Sequence, residues 1–274
     1  MTSMLKGKKL AVIGTGKLGE ALISGLLKNG VLQNEDICGT VARETSIKRA
    51  KEKLAIEITL DNKACVKDKD IIILAVKPQN MDKVLKELAE TITEKQLVIS
   101  VAASVSTAFV QERLKGKVAV VRAMPNTPSV MRAGMTGLCG GAHSSQNDLD
   151  MAEAIFKCVG ETVFVEEHLM DAVTALSASG PAYLYVVIES LAEAGVKLGI
   201  PRETSTLLAA QTMYGAARMV LESKAHPALL KDTVTTPAGC TIDGLMELEE
   251  GKLRVTLIKA VVKAAERAKE LVHR

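Results

Sequence analysis

Residues Leu10 to Glu20 read L-A-V-I-G-T-G-K-L-G-E, and few folds can hold that stretch. Leu10 to Ile13 is a short apolar run, β-branched at two of its four positions. It predicts a strand buried on both faces of a parallel sheet. Gly14, Gly16 and Gly19 then form G-x-G-x-x-G, and apolar residues recur at helical spacing from Glu20 to Leu27. Gly14 permits the tight turn, Gly16 lets a pyrophosphate approach the backbone, and Gly19 lets the helix pack close to the sheet. The free N–H groups and positive dipole end of such a helix favour a bound phosphate. With a strand before it and a helix after it, the pattern predicts dinucleotide binding. Without a ligand the same glycines would form only a tight turn.

The second strand, read from Asp36 to Thr40, bears on which dinucleotide is held. An NAD site usually places Asp or Glu at its end, to accept from the ribose hydroxyls. Here the run is Gly39-Thr40-Val41-Ala42-Arg43, without a carboxylate. Thr40 can donate to a phosphate oxygen and Arg43 can pair with one, which predicts NADPH, with NADH as the second candidate. Arg43 as a merely solvated residue at a helix start is the competing reading. Asp36 should point away from the ribose.

Strands and helices go on alternating. Helix is expected over 44–54, a strand over 56–60, and a helical piece from Asp61-Asn62. Asp70 to Val76 is the clearest buried strand, with Lys77-Pro78 expected to close its ladder and expose a turn. Ligands of open α/β sheets sit beyond the carboxyl ends of strands, which sets Ala75, Val76, Lys77 and Pro78 against the cofactor. For Lys77, cofactor contact and simple solvation stand level. Further helices are read at 81–92, 107–114 and 148–159, and strands at 96–101, 118–122, 135–141 and 162–165. The strand ending at Arg122 runs into Ala123-Met124-Pro125-Asn126-Thr127-Pro128, read as a rigid turn. Asn126 there either binds a carboxamide or bonds its own turn.

After residue 165 the strand pattern stops. Helices are expected at 169–178, at 182–198 after a break at Ser179-Gly180-Pro181 with Ser179 as a cap, at 203–222, and from Leu253 to His273. The first half of 182–198 is apolar nearly all round, which calls for burial on more than one side, part of it by a second subunit. Between these helices, Thr235 to Thr241 holds three hydroxyl side chains, a proline and a glycine at the mouth of a helical stretch. It reads equally as a receptor for a small carboxylate and as an ordinary capping segment. The expected organisation is an α/β Rossmann-type dinucleotide-binding domain over 1–165, followed by an all-α domain over 166–274.

Composition narrows the function classes. With 35 basic against 32 acidic residues interspersed along the chain, there is no basic block, and aromatics are only 2%, so neither phosphate tracking nor base stacking on nucleic acid is expected. No apolar run approaches about 18 residues, which argues against a membrane span. Met1 to Lys9 is short and polar, without the apolar middle of a secretory signal. Cys38, Cys65, Cys139, Cys158 and Cys240 lack C-x-x-C spacing and read as free thiols of a reducing compartment, the cytoplasm. The four histidines are scattered, so no metal site is expected.

Five stretches together resemble the pyrroline-5-carboxylate reductase family: I-G-T-G-K-L-G-E-A (13–21), L-A-V-K-P-Q (74–79), R-A-M-P-N-T-P (122–128), L-S-A-S-G-P-A-Y (176–183) and T-T-P-A-G-C-T-I (235–242). The resemblance spans essentially the whole chain, and the last three stretches are specific to the family. It implies NAD(P)H-dependent reduction of the cyclic imine 1-pyrroline-5-carboxylate to L-proline, the last step of proline biosynthesis. It also implies pairing of the helical domains into interlocked dimers, which assemble further, up to decamers. Carried onto this sequence, it sets Gly14, Gly16, Lys17 and Leu18 at the pyrophosphate, Thr40 and Arg43 near the 2′-phosphate, and Asn62 near the adenosine. Ala75, Lys77 and Pro78 would line the dinucleotide, Asn126 would stand in the turn near the nicotinamide, and Thr236, Gly239, Cys240 and Thr241 would receive the substrate. The family often has Gly where Ala238 and Ala178 stand, and Thr or Ala where Cys240 stands; these changes bear on the shape of the pocket.

Thr241 is the expected proton donor near the imine nitrogen, directly or through water. Other readings are a reductase of another cyclic imine and a non-catalytic NADPH-binding regulator. A β-hydroxyacid dehydrogenase would need a lysine base, for which Lys197 is the only obvious candidate.

Overall fold

The computed structural model describes residues 2–271. Two compact units emerge from it: the described residues of Met1–Ser179 with those of Ala264–Arg274, and Gly180–Lys263.

The first unit is built on an eight-stranded sheet. Strand β1 (Leu10–Ile13) leads into helix α1 (Lys17–Lys28), β2 (Ile37–Thr40) into α2 (Ile47–Leu54), and β3 (Glu57–Thr59) into α3 (Asn62–Val66). Then follow β4 (Ile71–Leu74), α4 (Pro78–Leu88), β5 (Leu97–Ser100), α5 (Thr107–Gln111), β6 (Ala119–Pro125), β7 (Gly134–Gly140), α6 (Gln146–Phe156) and β8 (Gly160–Phe164). The spatial order is β3-β2-β1-β4-β5-β6-β7-β8. Pairing is parallel except between β6 and β7. Order reverses around β1, which makes the carboxyl ends of β1, β2 and β4 a topological switch point where ligands bind.

Alternation along the strands builds a core on each face of this sheet. Leu10 and Val12 join one buried cluster with Leu22, Ile23 and Leu26 of α1 and Ile155 and Phe156 of α6. Ala11 and Ile13 join another with Val66 of α3 and Met81, Leu85 and Leu88 of α4. A strand covered by helices on both sides reads as an unbroken apolar run, and β1 does.

Three local expectations are corrected. Pro78 opens α4 rather than a loose turn: Lys77 is the extended N-cap and Pro78 takes the first helical position, where its missing N–H costs nothing. The run Ala123-Met124-Pro125 remains in β6, because β7 pairs antiparallel with it as far as Pro125↔Thr136. The break at Ser179 is present, since helical residues end at Ala178 and α8 starts at Gly180, but the turn before it is a π-helical segment, Thr174–Ala178, which follows α7 (Met170–Val173), and the expected cap is absent. Ser179 keeps helical angles and its N–H donates to Thr174 C=O at 2.9 Å, so it does not cap.

In the second unit, α8 (Gly180–Lys197) and α9 (Arg202–Ser223) form a hairpin, followed by α10 (Pro227–Val234), α11 (Cys240–Glu250) and the start of α12 (Leu253–Leu271). The α8–α9 seam is made of small residues. Ala192, Ser205 and Ala209 are buried, Ser205 Oγ donates to Ala192 C=O at 2.6 Å, and a Cβ on Gly195 would lie 2.1 Å from Ser205 Oγ. Large side chains stay outside: Leu184, Tyr185 and Val186 are each at least half exposed. His273 lies outside the described residues.

Candidate active site

Beyond β1 the chain turns through Gly14 and Thr15 into α1. Gly14 has φ +98°, and a Cβ there would lie 2.9 Å from Ala75 C=O. A Cβ on Gly19 would lie 2.6 Å from Gly14 C=O, so only glycine lets the helix sit this close to the turn. Gly16 differs: a Cβ there would meet nothing within 4 Å. Gly16 is exposed and caps α1 without a side-chain bond, so the first N–H groups of Lys17 and Leu18 open outward. That open cradle at a helix N-terminus fits a pyrophosphate.

The turn is tied to the end of β2. Thr15 N and Oγ1 both donate to Thr40 C=O at 2.7 Å, and Gly14 N donates to Thr40 Oγ1 at 3.1 Å. Thr40 is buried and its hydroxyl oxygen is engaged as an acceptor, with the O–H hydrogen left to donate. Nothing in the spacing singled out Thr15. Arg43 is exposed, with no ion-pair partner among the described residues. On the far side of α1, buried Glu20 accepts from Arg49 at 3.2 Å and Lys53 at 2.6 Å, which anchors α2.

Gly14, Thr40, Val41, Ala42, Leu60 and Asn62 form one side of a cleft of about 370 Å³, and Val76, Asn80, Lys83, Val84 and Glu87 form the other. Ala75, Lys77 and Pro78 follow β4 at its carboxyl end, Lys77 and Pro78 exposed. Asn80, Lys83 and Glu87 on α4 were not legible in the sequence, since no local pattern says which face of that helix meets the cleft. Asn62 Nδ2 donates to Glu87 Oε2 at 3.1 Å.

Asn126 begins just past β6. Its Oδ1 accepts from Met135 N at 2.9 Å, and its Nδ2 donates to Ser177 C=O at 3.3 Å. The carboxamide thus joins the turn, β7 and the π-helical segment. Four residues earlier, buried Arg122 pairs with Asp171 on α7 at 3.2 Å. Glu167 accepts from Thr107 N at 2.7 Å and Oγ1 at 2.6 Å, which ties this segment to α5. Burial pushes the neighbouring Cys139 thiol up to about 12, so it is a neutral packing group. All five cysteines are free, and only Cys240 is exposed.

In the second unit, Thr236 and Gly239 lie between α10 and α11, and Cys240 and Thr241 open α11. Gly239 is the N-cap of α11, its N–H donates to Thr236 C=O at 3.0 Å, and a Cβ on it would strike Thr236 Oγ1 at 2.4 Å. Ala238 holds φ +56°, the left-handed region that a glycine enters freely. The Thr236 and Thr241 hydroxyls bond to no described residue, and the α11 N-terminus has no side-chain cap. This is donor-rich backbone and hydroxyl chemistry, suited to a small carboxylate. Among the described residues no cluster of His, Cys, Asp or Glu could hold a metal, and no helix is long and apolar enough to cross a membrane.

The family model for pyrroline-5-carboxylate reductase dimerisation matches residues 167–271, and that for NADP oxidoreductase, coenzyme F420-dependent, matches residues 9–104. The pyrroline-5-carboxylate reductase of Methanosarcina acetivorans is 43% identical over 97% of this chain and 99% of its own. A solved pyrroline-5-carboxylate reductase from Coxiella burnetii superposes with TM-score 0.91 at 39% identity, covering 96% of this chain and 98% of its own. The pyrroline carboxylate reductase of Plasmodium falciparum, solved with NADP bound, gives 0.88 at 30% identity, covering 98% and 99%. By identity over nearly its whole length, this chain belongs to the pyrroline-5-carboxylate reductase family.

Proposed function

We infer that the protein reduces 1-pyrroline-5-carboxylate to L-proline with NADPH, as an NAD(P)-dependent oxidoreductase of the proline-biosynthetic type. The observation that carries this reading is the presence, in one family member, of an open glycine cradle beyond β1 and a hydroxyl-rich helix mouth at 236–241. The bound dinucleotide supplies the hydride that the carbon of the C=N bond accepts. Residues of this chain do the rest. Gly16, Lys17 and Leu18 hold the pyrophosphate on open N–H groups, and Gly14 lets the turn close against Ala75. Thr40 and Arg43 stand for the 2′-phosphate, Asn62 for the adenosine, and Lys77 and Pro78 for the edge of the dinucleotide. Asn126 sets the turn proposed to flank the nicotinamide. Thr236, Gly239 and Cys240 receive the substrate carboxylate and ring. Thr241 donates toward the imine nitrogen as the C=N electron pair moves onto it, while positioning of the two reactants provides most of the rate.

Residues 1–165 serve the dinucleotide in this reading, and 166–274 serve self-association and the substrate. The match to a dimerisation domain and the exposed apolar side chains of α8 support pairing of helical units. Further assembly up to decamers belongs to the same proposal, as does a cytoplasmic location, consistent with five free cysteines.

The test is NADPH oxidation by purified protein with 1-pyrroline-5-carboxylate, with NADH in parallel and proline measured as product. Rapid turnover with NADPH ahead of NADH is expected. Binding of NADPH without turnover would overturn the substrate assignment and direct the search to other cyclic imines.

A further inference from the structure

Asn62 and Glu87 meet in the wall of the cleft beyond β1 and β2, and the chemistry of their contact fixes which way the Asn62 carboxamide turns. An ionised carboxylate only accepts hydrogen bonds, whereas a carboxamide has one accepting and one donating end. The donating end of Asn62 therefore faces Glu87, as the 3.1 Å contact shows; this uses one of its two N–H groups and fixes on which side Oδ1, its one accepting atom, stands for a ligand. Both residues are half-buried. Glu87 is firmly placed, because its α4 neighbours Val84, Leu85 and Leu88 are buried in the sheet-face core. Lys83, one turn earlier, also lines the cleft but is exposed and makes no ion pair with Glu87. Val41, Leu60, Val76 and Val84 give the cleft apolar walls, which suit a flat heteroaromatic base.

We propose that Glu87 is a positioning residue: it orients Asn62 so that a base entering this cleft meets an acceptor, which selects an exocyclic amino group over a carbonyl at the same place. The proposal rests on the dinucleotide reading above and names its base-recognition element. Adenine carries the amino group there and hypoxanthine carries an oxygen.

The experiment titrates the fluorescence of NADPH and of reduced nicotinamide hypoxanthine dinucleotide phosphate on the protein, with no imine present. The native protein is expected to bind NADPH about tenfold more tightly, the size of one well-placed hydrogen bond at a half-exposed site. Glu87→Ala releases the carboxamide to rotate and brings the ratio within about twofold, at an unchanged melting temperature. Glu87→Lys offers Asn62 a donor instead, draws Oδ1 toward itself, and reverses the preference. Its added charge acts on both dinucleotides alike and cancels in the ratio, so a merely structural or electrostatic role for Glu87 would not reverse it. A native ratio near one, or an undiminished ratio in Glu87→Ala, would overturn the proposal while leaving the cofactor reading in place. Failure of both dinucleotides to bind the native protein would overturn the cofactor reading itself.

Discussion

The two units of this chain solve the burial problem differently. In the first, alternating strand residues fill a core on each sheet face, and side chains as large as Leu22, Ile73 and Phe156 are fully buried. In the second, burial within the unit is confined to Ala192, Ser205 and Ala209 along the α8–α9 seam, while Leu184, Tyr185, Val186, Leu207, Leu208 and Tyr214 stand half exposed or more. One unit thus has its hydrophobic driving force inside its own chain. The other leaves most of it on the surface, where only another chain can collect it.

The largest effect should follow from charging that surface. Leu184→Asp combined with Val186→Asp puts two carboxylates on the apolar stretch of α8. Burying even one unpaired carboxylate costs several kcal/mol, so the dimer should weaken by roughly a thousandfold or more. Sedimentation velocity should show monomers, and imine reduction should fall with them. NADPH binding should persist, because the sheet unit keeps its own core. A dimer that survives both substitutions would move the interface off this stretch of α8.

The reciprocal break is Gly19→Ala. Its Cβ would sit 2.6 Å from Gly14 C=O, a backbone atom that cannot swing away. The helix must retreat, at a cost of about 1–3 kcal/mol in the sheet unit. NADPH titration should show lost affinity while sedimentation still shows the native assembly. If affinity held, the close approach of α1 to the turn would not matter for the ligand.

Much of this contrast is legible in the sequence, for a physical reason. Strand β1 reads as buried because both faces need apolar residues, and α8 reads as a helix needing outside partners because it is apolar nearly all round. The Gly14-Gly16-Gly19 turn was readable because each requirement is local. What the sequence hides is what the fold brings together from afar. Thr15 ties the turn to β2 across 25 positions, and Glu87 meets Asn62 across another 25. Pro125 looked like a turn residue because its strand depends on pairing with β7, and the bonds of Asn126 to Met135 and Ser177 join residues that stand far apart in the sequence.

Thr241→Val separates chemistry from both kinds of burial. It removes a hydroxyl at nearly constant shape, in a stretch where no described residue depends on that hydroxyl. Turnover should drop by about 10²-fold, the lower end for a positioned proton donor. Dinucleotide affinity and assembly should both hold, because neither uses this side chain. Unchanged turnover would remove Thr241 from the reaction and leave the helix mouth with a binding role only.

The smallest and most discriminating comparison uses one substitution in both units. Ala55, at the C-cap of α2, holds φ +53°, and Ala238, just before α11, holds φ +56°. An alanine in this region is strained by about 1–2 kcal/mol, and a glycine there costs about 0.5–1 kcal/mol of chain entropy on folding, so Ala→Gly should stabilise by a few tenths of a kcal/mol up to about 1. At Ala55 that gain should appear as a raised denaturation midpoint, because α2 is held by Glu20 through Arg49 and Lys53 and folds with its unit. At Ala238 the residue sits in an exposed loop, so little of the gain should register in the melt. Freeing the loop should instead raise KM for the imine by about twofold to threefold, since binding must then order a chain segment that alanine already restrains. Equal stabilisation at both sites with KM unchanged would mean that the loop before α11 is embedded as firmly as the end of α2, and the contrast between the two units would then stop at α8 and α9.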